Sequence, residues 1–171
     1  MNTSVRKLIE RVQNDSPTVR NESARTLALW LEIRTLKKAD VDSCGQLLPP
    51  DLLENPPTSA DERDVVLALG AVARSPNRTP TVVWALGKAS SVEALEHILA
   101  ALCAASCDEE FVWQALIATD NWLQRALAEL DPNVLDLTTK CGVRSALNEL
   151  SEKSSERVRA LAGQILRRVF S

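Results

Sequence analysis

Tyrosine is absent from this chain of 171 residues, histidine occurs once and glycine five times. Each scarcity removes a class of structure or chemistry. A lone His97 cannot supply a multi-histidine metal site, and any Ser–His–Asp triad would have to be built on it. It follows Glu96 in a helix-like stretch and is expected as a partly exposed helical residue. Hairpin chemistry is missing as well: there is no Asn-Gly or Asp-Gly pair, and no segment alternates apolar and polar with a period of two. The glycine-rich phosphate loops, the G-x-S-x-G elbow and the C-x-x-C motif are absent. No run approaches the roughly 18 apolar residues that cross a bilayer. The opening MNTSVRKLIERVQND is polar and amphipathic, without the apolar core of a secretion signal.

What is present is ordinary for a globular chain: 45% hydrophobic and 25% charged residues, in a length that suits one domain over 1–171. Twenty basic against 23 acidic residues give a net charge of -3, which exerts no long-range pull on nucleic acid. The four cysteines, Cys44, Cys103, Cys107 and Cys141, are scattered, and a core of this size needs no staples. Free thiols in a reducing cytoplasm are expected. Cys103 and Cys107 stand i, i+4 and can meet on one helix, but no second close pair completes a zinc site, so no metal or cofactor is expected.

Helix signals dominate. Ser16-Pro17, Thr79-Pro80 and Asp131-Pro132 each read as an N-cap followed by proline in the first turn. Ser59 with Glu62, Ser90 with Glu93 and Ser106 with Glu109 fit the capping box. These starts predict helices over 4–13, 17–37, 60–74, 80–89, 91–105, 108–119, 121–130, 139–152 and 155–169, an all-α chain of eight or nine helices. The stretch CGQLLPPDLLENPPTSA, 44–60, holds four of the eight prolines, and its two Pro-Pro pairs cannot lie inside helices. Its leucines are too apolar for a free linker, so an ordered loop or short turns laid across the helices are expected.

One spacing returns. Val82 and Leu86, then Leu95, Ile98, Leu99 and Leu102, are matched by Val112 and Leu116, then Leu123, Ala126, Leu127 and Leu130. The final set in each has i, i+3, i+4, i+7 spacing, one stripe on a helix. Each copy therefore reads as helix, tight turn, helix, a unit that hides its apolar faces only by leaning on a neighbour. VVLALG at 65–70 echoes VVWALG at 82–87, as if successive antiparallel helices each put a small glycine at a close crossing. SPTVRNESARTLAL, TVVWALGKASSVEALEHILAAL and SERVRALAGQIL resemble HEAT and HEAT-like repeats, which show a Val-Arg, an Ala-Leu-Gly and a later Ala-Leu…Leu at these offsets. The resemblance covers 16–35 and 60–170, with the Pro-rich insert outside it and Ile117 where the second copy should carry glycine. It implies a short right-handed α-solenoid of antiparallel helix pairs.

On such a scaffold function resides in sites. Trp30 is expected in the core, Trp113 packed between repeats, and Trp122 covering a turn at the start of its helix. Trp84 lies opposite Leu86, on the face shared with Lys88, and is either a binding anchor or buried by the Pro-rich segment. Arg157 and Arg168 are eleven apart and align on one face of the last helix, while Arg20 and Arg25 open the second and read as a solvated face. The reading that fits best is a non-catalytic module that presents a curved helical surface to another protein or peptide. Trp84, Lys88, Trp113, Arg157 and Arg168 are its candidate contacts, and an adaptor or an inhibitory, immunity-type partner its candidate use. Neither membrane nor nucleic acid is an expected partner. A different implication comes from TDNWLQRALAEL, 119–130, which is a little similar to a segment of HEAT-like alkylpurine DNA glycosylases. There Asp120, Trp113 and Trp122 would hold a cationic base, against the competing reading of Asp120 as an N-cap. A bilin lyase component is a third option, with no chromophore-specific residue to support it.

Overall fold

The computed structural model describes residues 2–14, 16–33, 47–104, 108–128, 136 and 141–170. Among these, every regular element is helical: α1 Thr3–Val12, α2 Pro17–Glu32, α3 Pro50–Glu54, α4 Ser59–Ala73, α5 Pro80–Leu86, α6 Val92–Ala104, α7 Glu109–Ala128, α8 Val143–Lys153 and α9 Glu156–Phe170.

Local chemistry sets the starts. Ser16 and Thr79 are N-caps with proline following, as read from sequence. Near residue 59 the capping box sits one residue earlier than predicted, on Thr58 and Asp61. The Thr58 hydroxyl donates to Asp61 at 2.7 Å and holds that carboxyl below its usual value. Glu62, freed from capping, is turned into the protein. The predicted box on Ser90 and Glu93 fails because Glu62 itself accepts from the Ser90 and Ser91 N–H groups, at 2.5 and 3.0 Å. α7 is capped by Asp108, whose side chain accepts from the Phe111 N–H at 3.1 Å. Ser106, like the Asp131-Pro132 start, lies outside the described residues.

The predicted break at Asp120 does not exist. Residues 109–128 form one helix, so 112–130 is not a second helical hairpin like 82–102. The physical reason is continuity of the apolar stripe: Val112, Ala115, Leu116, Thr119, Trp122 and Leu123 are all buried along one face. Thr119 joins that face by returning its hydroxyl to the Ala115 carbonyl at 2.9 Å. In the earlier stretch Gly87 and the Ser90-Ser91 pair interrupt the stripe, and α5 and α6 separate there.

The described part of the Pro-rich segment, from Leu47 on, packs against the helices. Pro49 and Pro50 open the short α3 rather than interrupting it. Leu48 and Leu52 enter the core, and the Asn55 carbonyl accepts from the buried Trp30 indole at 2.9 Å. The tryptophan bonded to this segment is Trp30.

The helices pack in two sets. α4 lies against α1 and α6, and α8 against α6; α5 lies against α2 and α7, and α9 against α7. Consecutive partners join the sets, α1 with α2, α4 with α5, α6 with α7, α8 with α9. Two of these approaches exploit the echoed glycines. A Cβ on Gly70 would collide with the His97 ring of α6, and one on Gly87 would lie 2.7 Å from the Ala118 Cα of α7. The core runs through all pairs, with Leu27, Leu69, Leu86, Leu95, Leu116, Leu123, Leu147 and Ile165 fully buried.

This contact geometry separates two glycine-to-alanine changes. Gly87→Ala should destabilise by about 1–3 kcal/mol, because the neighbour is backbone and cannot rotate away. Gly163→Ala in α9 meets only the Arg167 guanidinium, at 3.6 Å. It should be neutral or stabilising by up to about 1 kcal/mol, since alanine is the better helix former. Urea unfolding midpoints at constant m-value check both.

Candidate functional site

The turn from α5 to α6 buries Gly87 and Ala89, the latter 1% exposed, and backbone polar groups buried in a turn must find partners. The N–H groups of Gly87, Lys88 and Ala89 return to Val83, Ala85 and Leu86, and those of Ser90 and Ser91 go to Glu62. The carbonyls of Gly87, Lys88 and Ala89 accept from Arg125 of α7, at 2.7 Å for Lys88 and 2.9 Å for Ala89. The Ser91 carbonyl accepts from the Trp122 indole at 3.0 Å. Trp122 thus covers the α5–α6 turn from inside α7; the turn it was expected to cover, at the start of a helix of its own, does not exist. Sequence gave no warning of the Glu62 and Arg125 contacts, which span 28–29 and 36–38 residues.

Outside this buried network, α5, α7 and α9 carry all five candidate contact residues, Lys88 just beyond the end of α5. Trp84 and Lys88 are half-buried positions one turn apart. The Lys88 ammonium lies 5.2 Å from the Trp84 ring centre and also pairs with Glu32 at the end of α2. Lys88 stands two residues past the last residue of α5, at the end where a cation complements the helix dipole. A second cluster has the same composition. Arg157 stacks 3.9 Å from the Trp113 ring centre and lies 3.4 Å from Glu110. Arg157 stands in the first turn of α9, where a cation opposes the dipole; its partners on α7 offset that. Arg168, one helix-length further on, pairs with Asp120, which also accepts from Gln124 at 2.9 Å. Both arginines therefore reach α7, and α9 lies on it through an arginine at either end. Glu32 and Glu110, the acids that complete the two clusters, went unremarked in the sequence; Glu110 is three residues before Trp113, a helical neighbour, but Glu32 is distant.

Other expectations divide. Arg20 is not solvated: it is 2% exposed and donates to the Asn14 carbonyl at 2.7 Å, while Arg25 is exposed. Asp120 is no N-cap, being inside α7 and paired with Arg168. Trp122 is buried, so it does not share an open cleft with Asp120 and Trp113. Cys103 and Cys141 are unpaired thiols, the latter pushed up by burial and then by Glu96; Cys44 and Cys107 lie outside the described residues. Among the described residues no three His, Cys, Asp or Glu side chains gather as a metal site, and no helix is long and apolar enough to cross a membrane. No family model, curated protein or solved structure matches the chain.

His97 sits against Gly70, partly exposed as expected, and burial followed by the Arg74 charge holds its pKa below the usual 6.5, with Glu96 and Glu93 opposing. A base with a depressed folded-state pKa binds fewer protons folded than unfolded. Unfolding free energy should therefore be highest above pH 6.5 and fall as pH drops through that value toward the folded pKa. His97→Gln should flatten this slope in urea titrations across that range, and an unchanged slope would assign it elsewhere.

Proposed function

We propose that this chain is a short HEAT-like α-solenoid whose α2, α5, α7 and α9 form a curved, right-handed face that binds another protein or peptide without catalysis. Three features support the architecture. The first helices of the pairs, α1, α4, α6 and α8, meet in chain order, and so do the second, α2, α5, α7 and α9. Bonds within a set also keep chain order: Asn21 with Thr79 and Glu32 with Lys88 join α2 to the α5 region, as helices pointing the same way would. Across a pair the order reverses, with Trp122, late in α7, reaching Ser91 at the start of α6. Stacked antiparallel pairs, in which each unit buries the face of the next, would give this order, and it supports that reading.

The observation that carries the binding role is the duplicated cluster of tryptophan, cation and acid: Trp84, Lys88 and Glu32, then Trp113, Arg157 and Glu110. Both sit on the second-helix set. Tryptophan and arginine dominate binding energy at protein interfaces, because they bury large area while keeping a polar handle. Exposed ion pairs such as Arg157 with Glu110, about half exposed on each side, contribute at most about 1 kcal/mol to folding. A partner's carboxylate can replace Glu110 on Arg157 at little cost. An adaptor and an inhibitor that covers another protein's working surface both fit this face.

The test is affinity capture from the native lysate with stoichiometry measured. Trp84→Ala and Trp113→Ala should each weaken the captured partner by at least about 2 kcal/mol, roughly thirtyfold. Leu67→Ala, on the exposed side of α4, should leave it unchanged. Equal capture by all three variants would sink the assignment of this face.

A further inference from the structure

Two polar side chains mark the contact between α4 and α6, and they act differently. Glu62 of α4, almost fully buried, accepts from the Ser90 and Ser91 N–H groups that lead into α6. About two turns further along both helices, the His97 ring of α6 fills the space over Gly70 where a Cβ would stand. The first contact is a pair of directed bonds from backbone to a carboxylate. The second is a ring laid against bare backbone, and among the described residues neither ring nitrogen has a hydrogen-bond partner.

The surroundings of that ring favour its neutral form. Arg74, one turn beyond Gly70 on α4, donates from Nε to the Gly70 carbonyl at 3.1 Å. Its guanidinium is thereby tethered to the residue that His97 covers. Among the described residues the charged groups acting on the ring are Arg74 from α4 and Glu96 and Glu93 from α6 itself. Beyond Glu96, ahead of α8, stands Cys141, a thiol that burial and then Glu96 keep protonated. The two acids draw a proton to the ring, but burial together with Arg74 outweighs them. An imidazolium has two N–H groups to satisfy and would gain no bond at this crossing.

We propose that the crossing of α4 and α6 is a pH-sensitive joint: a proton taken up by His97 separates the two helices at Gly70, while Glu62 keeps them clamped at Ser90 and Ser91, so that the pair hinges at the clamp as the solution turns mildly acidic. The imidazolium stands beside a tethered cation, and leaving Gly70 gives both charges to water. The ring is partly exposed, so the proton reaches it without prior unfolding. Opening of one joint is a local event, distinct from loss of the whole fold.

His97 is the only histidine, so the intact chain gives one imidazole signal in proton–carbon NMR spectra. Its midpoint should lie below 6.5. The closed joint then binds fewer protons than the open one, and opening is favoured as pH falls from 6.5 toward that midpoint. Native-state amide exchange, corrected for intrinsic rates, reads the opening itself. Across that interval, protection at 70–73 and 97–101 should fall by at least about threefold. The Ser90 and Ser91 N–H groups and the α2 amides at 24–31 should keep theirs. His97→Gln should abolish the pH dependence at the crossing. Arg74→Gln should raise the midpoint of the ring and shrink the fall; if His97→Gln does not fold, Arg74→Gln decides. A loss shared equally by α2 would mean that the proton acts on global stability alone and would overturn the joint. A ring that titrates at 6.5 or above would overturn it too, as would a fall that His97→Gln retains. Loss of protection at Ser90 and Ser91 in step with the crossing would remove the hinge.

Discussion

The α5–α6 turn is the point on which the packing of four helices converges. Gly87 and Ala89 are buried there, and water cannot serve their backbone groups. α4 supplies the acid that takes two N–H groups, α7 the guanidinium that takes three carbonyls and the indole that takes a fourth. Hydrogen bonds to charged groups contribute about 1.5–3 kcal/mol each, and the cost of a buried group left unpaired is of the same size. α4, α6 and α7 are thereby fixed relative to α5 by bonds with defined direction. Packing of leucine on leucine tolerates sliding by comparison. The same device recurs more simply at the start of the chain, where buried Arg20 of α2 holds the Asn14 carbonyl after α1.

This constraint also explains what was legible in the sequence. Helices were read from spacing and caps, which are local, and the starts at Ser16-Pro17 and Thr79-Pro80 stand where a proline in the first turn suits them, although neither cap residue bonds through its side chain. The echoed glycines were read as close crossings because only a missing Cβ admits a neighbour's backbone, and Gly87 against Ala118 has that geometry. The reading failed where a distant group changed a local choice. Ser90 and Glu93 have the spacing of a capping box, but Glu62 had already taken the donors. The break at Asp120 was inferred by analogy with an earlier stretch that contains a glycine and a serine pair. Neither occurs between 112 and 126, and the apolar stripe simply continues. Of the site, the aligned arginines and the pairing of Trp84 with Lys88 follow from helical periodicity. The acids opposite Lys88 and Arg168 come from other helices and leave no periodic trace.

The two kinds of charged contact in this protein have different physical characters. Glu62, Arg20 and Arg125 bond to backbone, and Glu62 and Arg20 are almost fully buried. Removing one would strand the groups it serves, so these are fixtures of the fold. Lys88, Arg157 and Arg168 bond to carboxylates instead, and two of them also cover an indole. They are partly open to water, most of all Arg157, where screening and side-chain entropy leave little net stabilisation. An interaction worth little to the fold can be exchanged for a partner's at little loss. The surface that can trade contacts is therefore the one carrying tryptophan beneath its cations, along α5, α7 and α9.

Within that surface the junction of the last two pairs differs from the others. Earlier junctions are closed by glycine contacts and by the clamped turn, which tie α4, α5, α6 and α7 together. At the α8–α9 end the helices are held to α7 by Arg157 and Arg168 at their two ends, with an open space beside the first. Arg157 with Glu110 is exposed on both sides and is the weaker of the two tethers, while Asp120 is largely buried beneath Arg168. The described junctions thus differ in kind, with bonds directed at a turn's backbone in the middle and two arginine–carboxylate pairs on α7 at the end.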